Sequence, residues 1–275
     1  MMESLEKLAF ELRKDVVRLV HAAGSGHIGG DMSVMDILVV LYFKYLNVDP
    51  SYPDDPDRDR FILSKGHCVE ALYMVLAERG FLDKEDIFKR YGRLGAPYIG
   101  HPNNKLPGIE VNSGSLGHGL SVGVGMALAS RLDSRRNRVY VVIGDGELAE
   151  GSVWEAAMAA SHFGLDNLCA VIDRNRLQIS GETENVMSQE PLKERWNAFG
   201  WNVLECEGNS VPALDRTFAM AQRHAGKPMV IIANTVKGYG ASLMENQAAW
   251  HHKVPGGSEV EAILSEMDRR MRGMV

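Results

Sequence analysis

The chain has 275 residues, of which 45% are hydrophobic and 7% aromatic, and a formal net charge of −6. This is the composition of an ordinary globular protein, and its acidic balance argues against a general binder of nucleic acid or anionic membrane. No apolar run approaches the ~20 residues that span a bilayer.

The N-terminal stretch is acidic and amphipathic and lacks the pattern of a secretory signal. Cys68, Cys169 and Cys206 are odd in number and far apart, which fits a reducing cytoplasm better than a disulfide framework. Leu5, Leu8, Leu12, Val16, Leu19 and Val20 recur at helical spacing and predict an amphipathic helix over 3–22. Ser33 with Asp36 reads as a capping box, opening a helix over 34–46 that is apolar nearly all round. A loop rich in Pro and Asp covers 47–60. A short buried strand over 60–64 ends at Lys65-Gly66-His67, and 68–79 and 83–91 read as helices. Residues 92–114 are irregular. A small-residue helix over 116–132 leads to strand 138–143, helix 152–163, strand 168–173, strand 201–206, helix 212–225 and strand 229–235. An irregular stretch over 236–257 precedes a polar helix over 258–272. Strands alternating with helices predict an α/β fold across 1–275, a single doubly wound, mostly parallel sheet with helices on both faces.

In such a sheet ligands bind outside the carboxyl ends of the strands. Gly144-Asp145-Gly146-Glu147 follows the apolar run 139–143, and Asn175 follows the next strand. The Asp carboxylate and Asn amide are hard oxygen ligands suited to Mg²⁺ or Ca²⁺. The glycines let the backbone approach phosphates, and the next helix points its first amides at them. Together they read as a site for a metal-bound diphosphate; the plain alternative is a strand-turn-helix crossover with a surface Asp. His27, His67, His101 and either His251 or His252 lie in loops aimed at the same end, where imidazoles serve as proton shuttles near neutral pH. Gly114 and Leu116 open the small-residue helix, where free amides could reach a phosphate or a cofactor ring. Gly123 and Gly125 read as close helix packing, and His118 as a surface or subunit contact. Glu150 begins a helix, where the dipole favours a carboxylate whatever its role. Lys237 could hold an anion or simply end a strand. Cys68 beside His67 lacks an orienting acid and is not read as a nucleophile.

In order and spacing, a set of motifs closely resembles the N-terminal domain of transketolase, a thiamine diphosphate enzyme. The set is Gly26-His27, Ser64-Lys65-Gly66-His67, Gly100-His101-Pro102, Gly114-Ser115-Leu116-Gly117-His118-Gly119, Gly144-Asp145-Gly146-Glu147-Leu148-Ala149-Glu150-Gly151, Asp173-Arg174-Asn175-Arg176-Leu177 and Trp250-His251. The resemblance spans nearly the whole chain. It implies that Asp145 and Asn175 ligate Mg²⁺ (or Ca²⁺) by side chain and Leu177 by its backbone carbonyl. Gly144, Gly146 and Glu147 would lie along the diphosphate, with Gly114 and Leu116 near the cofactor. Glu150 would sit at the subunit interface that links paired active sites. His27 and His251 would handle the donor's C3 hydroxyl proton, and His67 and His101 would line the cofactor and the donor's C1 end. The cofactor supplies the chemistry of two-carbon ketol transfer from a ketose phosphate to an aldose; the protein supplies orientation and proton transfer.

The family's pyrimidine-binding and C-terminal domains are absent from this sequence. The resemblance therefore implies the N-terminal subunit of a split transketolase, completed by a C-terminal subunit, with two copies of each chain as the natural stoichiometry. Two alternatives stay open: another thiamine diphosphate enzyme subunit (deoxyxylulose-phosphate synthase-like or 2-oxoacid dehydrogenase α), and a non-catalytic cofactor-binding subunit. The histidine set and Trp250-His251 speak against the first. Three departures bear on donor and acceptor preference: Ile28 where many members have proline, His118 where many have glutamine, and the doubled His251-His252.

Overall fold

The apolar runs that end at chemistry-bearing residues lie side by side in a five-stranded sheet. The structure, a computed structural model, describes residues 2–274. The strands are β1 (Arg60–Leu63), β2 (Val139–Gly144), β3 (Leu168–Arg174), β6 (Asn202–Glu207) and β7 (Met229–Asn234), in the spatial order β1-β2-β3-β7-β6, every neighbour parallel. Between β3 and β6 the chain makes a small antiparallel hairpin of β4 (Leu177–Gln178) and β5 (Gly181–Glu182). Burial on both sides suits the Val- and Ile-rich strands. Alternate side chains enter opposite cores: Tyr140, Val142, Val171 and Ile231 on one face, Val141, Ile143, Ile172 and Ile232 on the other.

Helices Met2–Ala23, Ile28–Val40, Val69–Glu78, Val211–Ala221 and Gly257–Arg272 pack on the first face; Gly119–Leu132, Gly151–His162 and Leu192–Ala198 pack on the second. The chain leaving β1 or β7 turns to the first face, and the chain leaving β2 or β3 turns to the second. Clefts therefore open between β1 and β2 and between β3 and β7, where strand ends expose their backbone to a ligand.

The strands and most helices fall within a few residues of their predicted positions. The second helix does not: it begins at Ile28, with His27 as its N-cap and no side-chain cap. Ser33 and Asp36 therefore form no capping box. Ser33 is buried in mid-helix and reaches across to β3, and Asp36 pairs with the buried Arg13. Gly29 and Gly30 lie inside this helix, and a Cβ at Gly29 would stand 2.7 Å from the Trp250 carbonyl, so that close approach needs glycine. Helix Leu192–Ala198 was not predicted; Trp196, at 0% exposure, anchors it on the second face. The polar last helix buries Ile263 and Met267 beside the first. The three cysteines are free thiols, and no helix among the described residues is long and apolar enough to cross a membrane.

Gly123 and Gly125 do not share one explanation. A Cβ at Gly123 would lie 2.7 Å from Cγ2 of Val141 in the sheet, whereas nothing lies within 4 Å of one at Gly125. Gly123→Val should therefore cost about 1–3 kcal/mol by overpacking. Gly125→Ala should cost nothing and gain up to about 1 kcal/mol from helix propensity. Urea unfolding of both variants checks this; equal stabilities would refute the assigned contact.

Candidate active site

The carboxyl ends of β1, β3 and β7 meet on one buried ion pair. Lys65, 1% exposed, donates its ammonium to Asp173 Oδ2 at 2.5 Å, and Asp173 is fully buried. Ser33 Oγ donates to the same oxygen at 2.6 Å, and the Thr235 hydroxyl donates to Oδ1. Burial alone would lower the Lys65 pKa, but the Asp173 charge outweighs it and the pKa is raised. Lys65 of this pair lines a cavity of about 400 Å³, within the ~300–1,000 Å³ of small-molecule sites. A larger depression of about 700 Å³ at the amino ends of β1 and β2, near Asp57 and Arg135, holds none of the predicted site residues.

Asp145, Asn175 and Leu177 line one wall. Asp145, 4% exposed, accepts hydrogen bonds from the backbone N–H of Gly146 at 2.8 Å and from that of Arg176. Burial, reinforced by the nearby Asp173 charge, pushes its carboxyl up to about 6. Asn175 is held by its Nδ2 donating to Ser33 Oγ at 3.4 Å and its Oδ1 accepting from Leu177 N at 3.1 Å. The Leu177 carbonyl accepts from Lys237 Nζ at 3.2 Å, and the same ammonium lies 3.0 Å from His251 Nδ1. Burial and the Lys65 charge lower Lys237 to about 8. Two oxygen side chains and a carbonyl form the donor set of a hard cation, and two buried cationic lysines beside them suit an anion.

Glu147 also lines the cavity. Its buried carboxylate faces the protein, accepting from the Ser64 hydroxyl, from Gly117 N at 2.8 Å and from Gly144 N at 3.1 Å. It thus ties the Gly114–Gly117 turn to the end of β2. Gly114 has φ +142°, and a Cβ there would stand 2.7 Å from the His101 ring, so the turn needs glycine. Gly114, Leu116, Gly144 and Gly146 all line the cavity. Glu150 lies at its rim, exposed.

The opposite wall is a cluster of imidazoles from four loops. The His27 ring centroid is 5.4 Å from that of His67, 6.1 Å from His101, 5.6 Å from His251 and 4.4 Å from His252. His251 faces the cavity and Lys237, whereas His252 is exposed. Burial keeps the rings of His27, His67, His101 and His251 neutral. It lowers His27 to about 4 and His251 to about 3, and lowers His67 and His101 as well. Neutral imidazoles can accept a proton from a hydroxyl and return it. His27 and Gln178 both line the cavity, and their buried Nδ1 and Oε1 lack a protein hydrogen-bond partner. The motifs of the sequence left out Lys65, Asp173 and Gln178 as site residues; the signal available for the first two was a charged residue at the end of an apolar strand. His118 is exposed, with its Nδ1 3.1 Å from Leu116 O in its own turn.

Residues 5–269 match the family described as transketolase, thiamine diphosphate binding domain. The chain is 49% identical over 269 residues to an apulose-4-phosphate transketolase subunit of Phocaeicola vulgatus, covering 98% of this chain and 95% of that one. It is 39% identical over 266 residues to a 6-deoxy-6-sulfo-D-fructose transketolase subunit of Clostridium sp., covering 96% of each. A crystallised transketolase variant from Pichia stipitis superposes with a TM-score of 0.89 at 29% identity; 98% of this chain spans 44% of that one.

Asp173→Ala would leave the Lys65 ammonium buried without its partner. We expect a loss of about 3–5 kcal/mol in urea unfolding. A loss under about 1 kcal/mol would show that the pair does not organise the site.

Proposed function

Because the chain belongs to the transketolase N-terminal, thiamine diphosphate-binding family, we propose that it is the first subunit of a split transketolase. The placement of His27, His67 and His251 in the cavity that Asp145 and Asn175 also line, with the His101 ring 6.1 Å from that of His27, supports this reading. A non-catalytic binding subunit has no physical need for that arrangement.

Asp145, Asn175 and the Leu177 carbonyl would hold Mg²⁺ or Ca²⁺, with the carbonyl exchanging its Lys237 contact for the cation. Gly144, Gly146 and Lys237 would hold the diphosphate, and Gly114, Leu116 and His67 the rest of the cofactor. When bound, thiamine diphosphate supplies the nucleophilic carbon and electron sink for ketol transfer. The protein binds the donor sugar beside the neutral rings of His27 and His251, which take the proton from its C3 hydroxyl and return one to the acceptor. His101 and His67 orient the donor's C1 end. Glu150, exposed at the rim, would meet a partner chain. That partner would carry the pyrimidine-binding domain, and the complex would pair two copies of each subunit in the cytoplasm. The donor sugars to assay first are apulose 4-phosphate and 6-deoxy-6-sulfofructose, which the relatives' names specify, beside ordinary pentose and hexose phosphates.

A pull-down of the tagged chain from its native lysate with thiamine diphosphate and Mg²⁺ should recover a stoichiometric second subunit. Recovery of this chain alone, as a stable oligomer, would overturn the split-enzyme reading. In the complex, Asp145→Ala should abolish metal-dependent cofactor binding. His251→Ala should keep binding and slow ketol transfer by about 10²–10⁴-fold; unchanged turnover would remove His251 from the mechanism. The metal needs Asp145 as the carboxylate, and its folded pKa of about 6 lies above that of an ordinary aspartate. Metal affinity should therefore hold above about pH 6 and fall about tenfold per unit below it. Magnesium titrations across that range check this; a flat profile would argue against Asp145 as a ligand.

A further inference from the structure

Beneath the histidines lie two acids that the proposed reaction does not use. Asp31, on helix Ile28–Val40, and Glu70, on helix Val69–Glu78, are both 0% exposed. Asp31 Oδ1 accepts from Ala71 N at 2.9 Å. Glu70 Oε1 accepts from the Tyr91 hydroxyl, and the Glu70 carboxyl also takes the backbone N–H of His27. The other two oxygens, Asp31 Oδ2 and Glu70 Oε2, are buried with no donor. Two ionised carboxylates with bare oxygens at this depth would be costly. One proton held between them satisfies both, and the two side chains are within hydrogen-bonding reach of each other. Burial and the Glu70 charge push Asp31 well above the usual carboxylate range, and burial raises Glu70 as well.

The helix that carries Glu70 also carries the attachments of three histidine segments. His67 lies in the 3-10 turn Gly66–Cys68 that leads into it. A Cβ at Gly26 would stand 2.9 Å from Glu70 Oε1, so the carboxylate abuts the Gly26-His27 peptide. Tyr91, bound to Glu70, has its hydroxyl 3.7 Å from where a Gly100 Cβ would be. From the next turn, Tyr73 donates to Ile99 O at 3.0 Å and to His101 O at 3.4 Å.

We propose that Asp31 and Glu70 share a single proton and that Glu70, thus fixed, is a positioning residue setting His27 against His67 and His101. The kinetic test of this rests on the transketolase reading; the spectroscopic tests do not. In the complex with its partner subunit, Glu70→Leu should lower kcat about 10- to 100-fold, the range for sub-ångström misplacement of a reacting group, with the donor KM changed less than about threefold. Glu70→Gln keeps acceptors for the His27 N–H and the Tyr91 hydroxyl and can donate to Asp31. It should restore at least about a third of kcat. Selective ¹⁵N-histidine NMR should show the His27 and His101 signals shifted in Glu70→Leu, with the exposed His162 and His224 unmoved. Infrared spectra at neutral pH should show a protonated carboxyl band in the native chain that Asp31→Asn/Glu70→Gln lacks. A Glu70→Leu enzyme within twofold of the native kcat, or a Gln variant as slow as the Leu variant, overturns the positioning role. A missing infrared band overturns the shared proton. Should Glu70→Leu fail to fold, Tyr91→Phe takes its place in the NMR comparison, and unmoved His27 and His101 signals refute the proposal. Should the native complex transfer no ketol unit, the reading of the reaction falls while the NMR and infrared outcomes still decide the pair.

Discussion

The Lys65–Asp173 ion pair is the constraint on which the site depends. A charge pair at this depth contributes little net stability and costs much to break, but it fixes geometry. Through Asp173 it joins the end of β1 to the end of β3, Thr235 just beyond β7, and Ser33 in the middle of the second helix. Ser33 in turn holds Asn175. The second helix is held from its outer side by Arg13, whose guanidinium donates to Met32 O at 2.9 and 3.0 Å, pairs with Asp36 and stacks on Tyr239. His27, at the head of that helix, is thus placed by contacts on both sides of it.

Dryness organises the rest of the chemistry. The same burial that keeps the imidazoles neutral raises Asp145 and lowers Lys237. Asp145 and Lys237 are thereby held toward their neutral forms, and each must regain its charge when a cation and an anion arrive together. A carboxylate that is costly when bare is a strong metal ligand, and a folded site stores that cost as binding selectivity.

Legibility in the sequence followed the range of the interactions. Asp145 and Asn175 were readable because a strand end is a local feature and strand ends gather at one edge of a parallel sheet. Of the histidine segments only that of His67 closely follows a strand; those of His27 and His101 lie between helices. The start of the second helix was misread because Ser33 with Asp36 has the spacing of a capping box, whereas their partners, Asp173 and Arg13, come from distant segments. Helix Leu192–Ala198 is held by Trp196 rather than by a periodic stripe. Glu147 stands in a turn that invites a phosphate reading, yet its partners, Ser64 and Gly117, come from other segments. Asp31 and Glu70 each look like one polar residue in an apolar helix. Their meaning lies in facing each other.

Lys237, which links the Leu177 carbonyl to His251, has a consequence for heats of reaction. Its pKa of about 8 leaves it partly deprotonated in mildly alkaline solution. An arriving diphosphate raises that pKa, so association takes up a proton from the buffer. The apparent enthalpy of cofactor binding then includes the buffer's own ionisation heat. Calorimetry in two buffers of unlike ionisation enthalpy counts that proton directly, and the count shrinks toward zero as the solution becomes neutral.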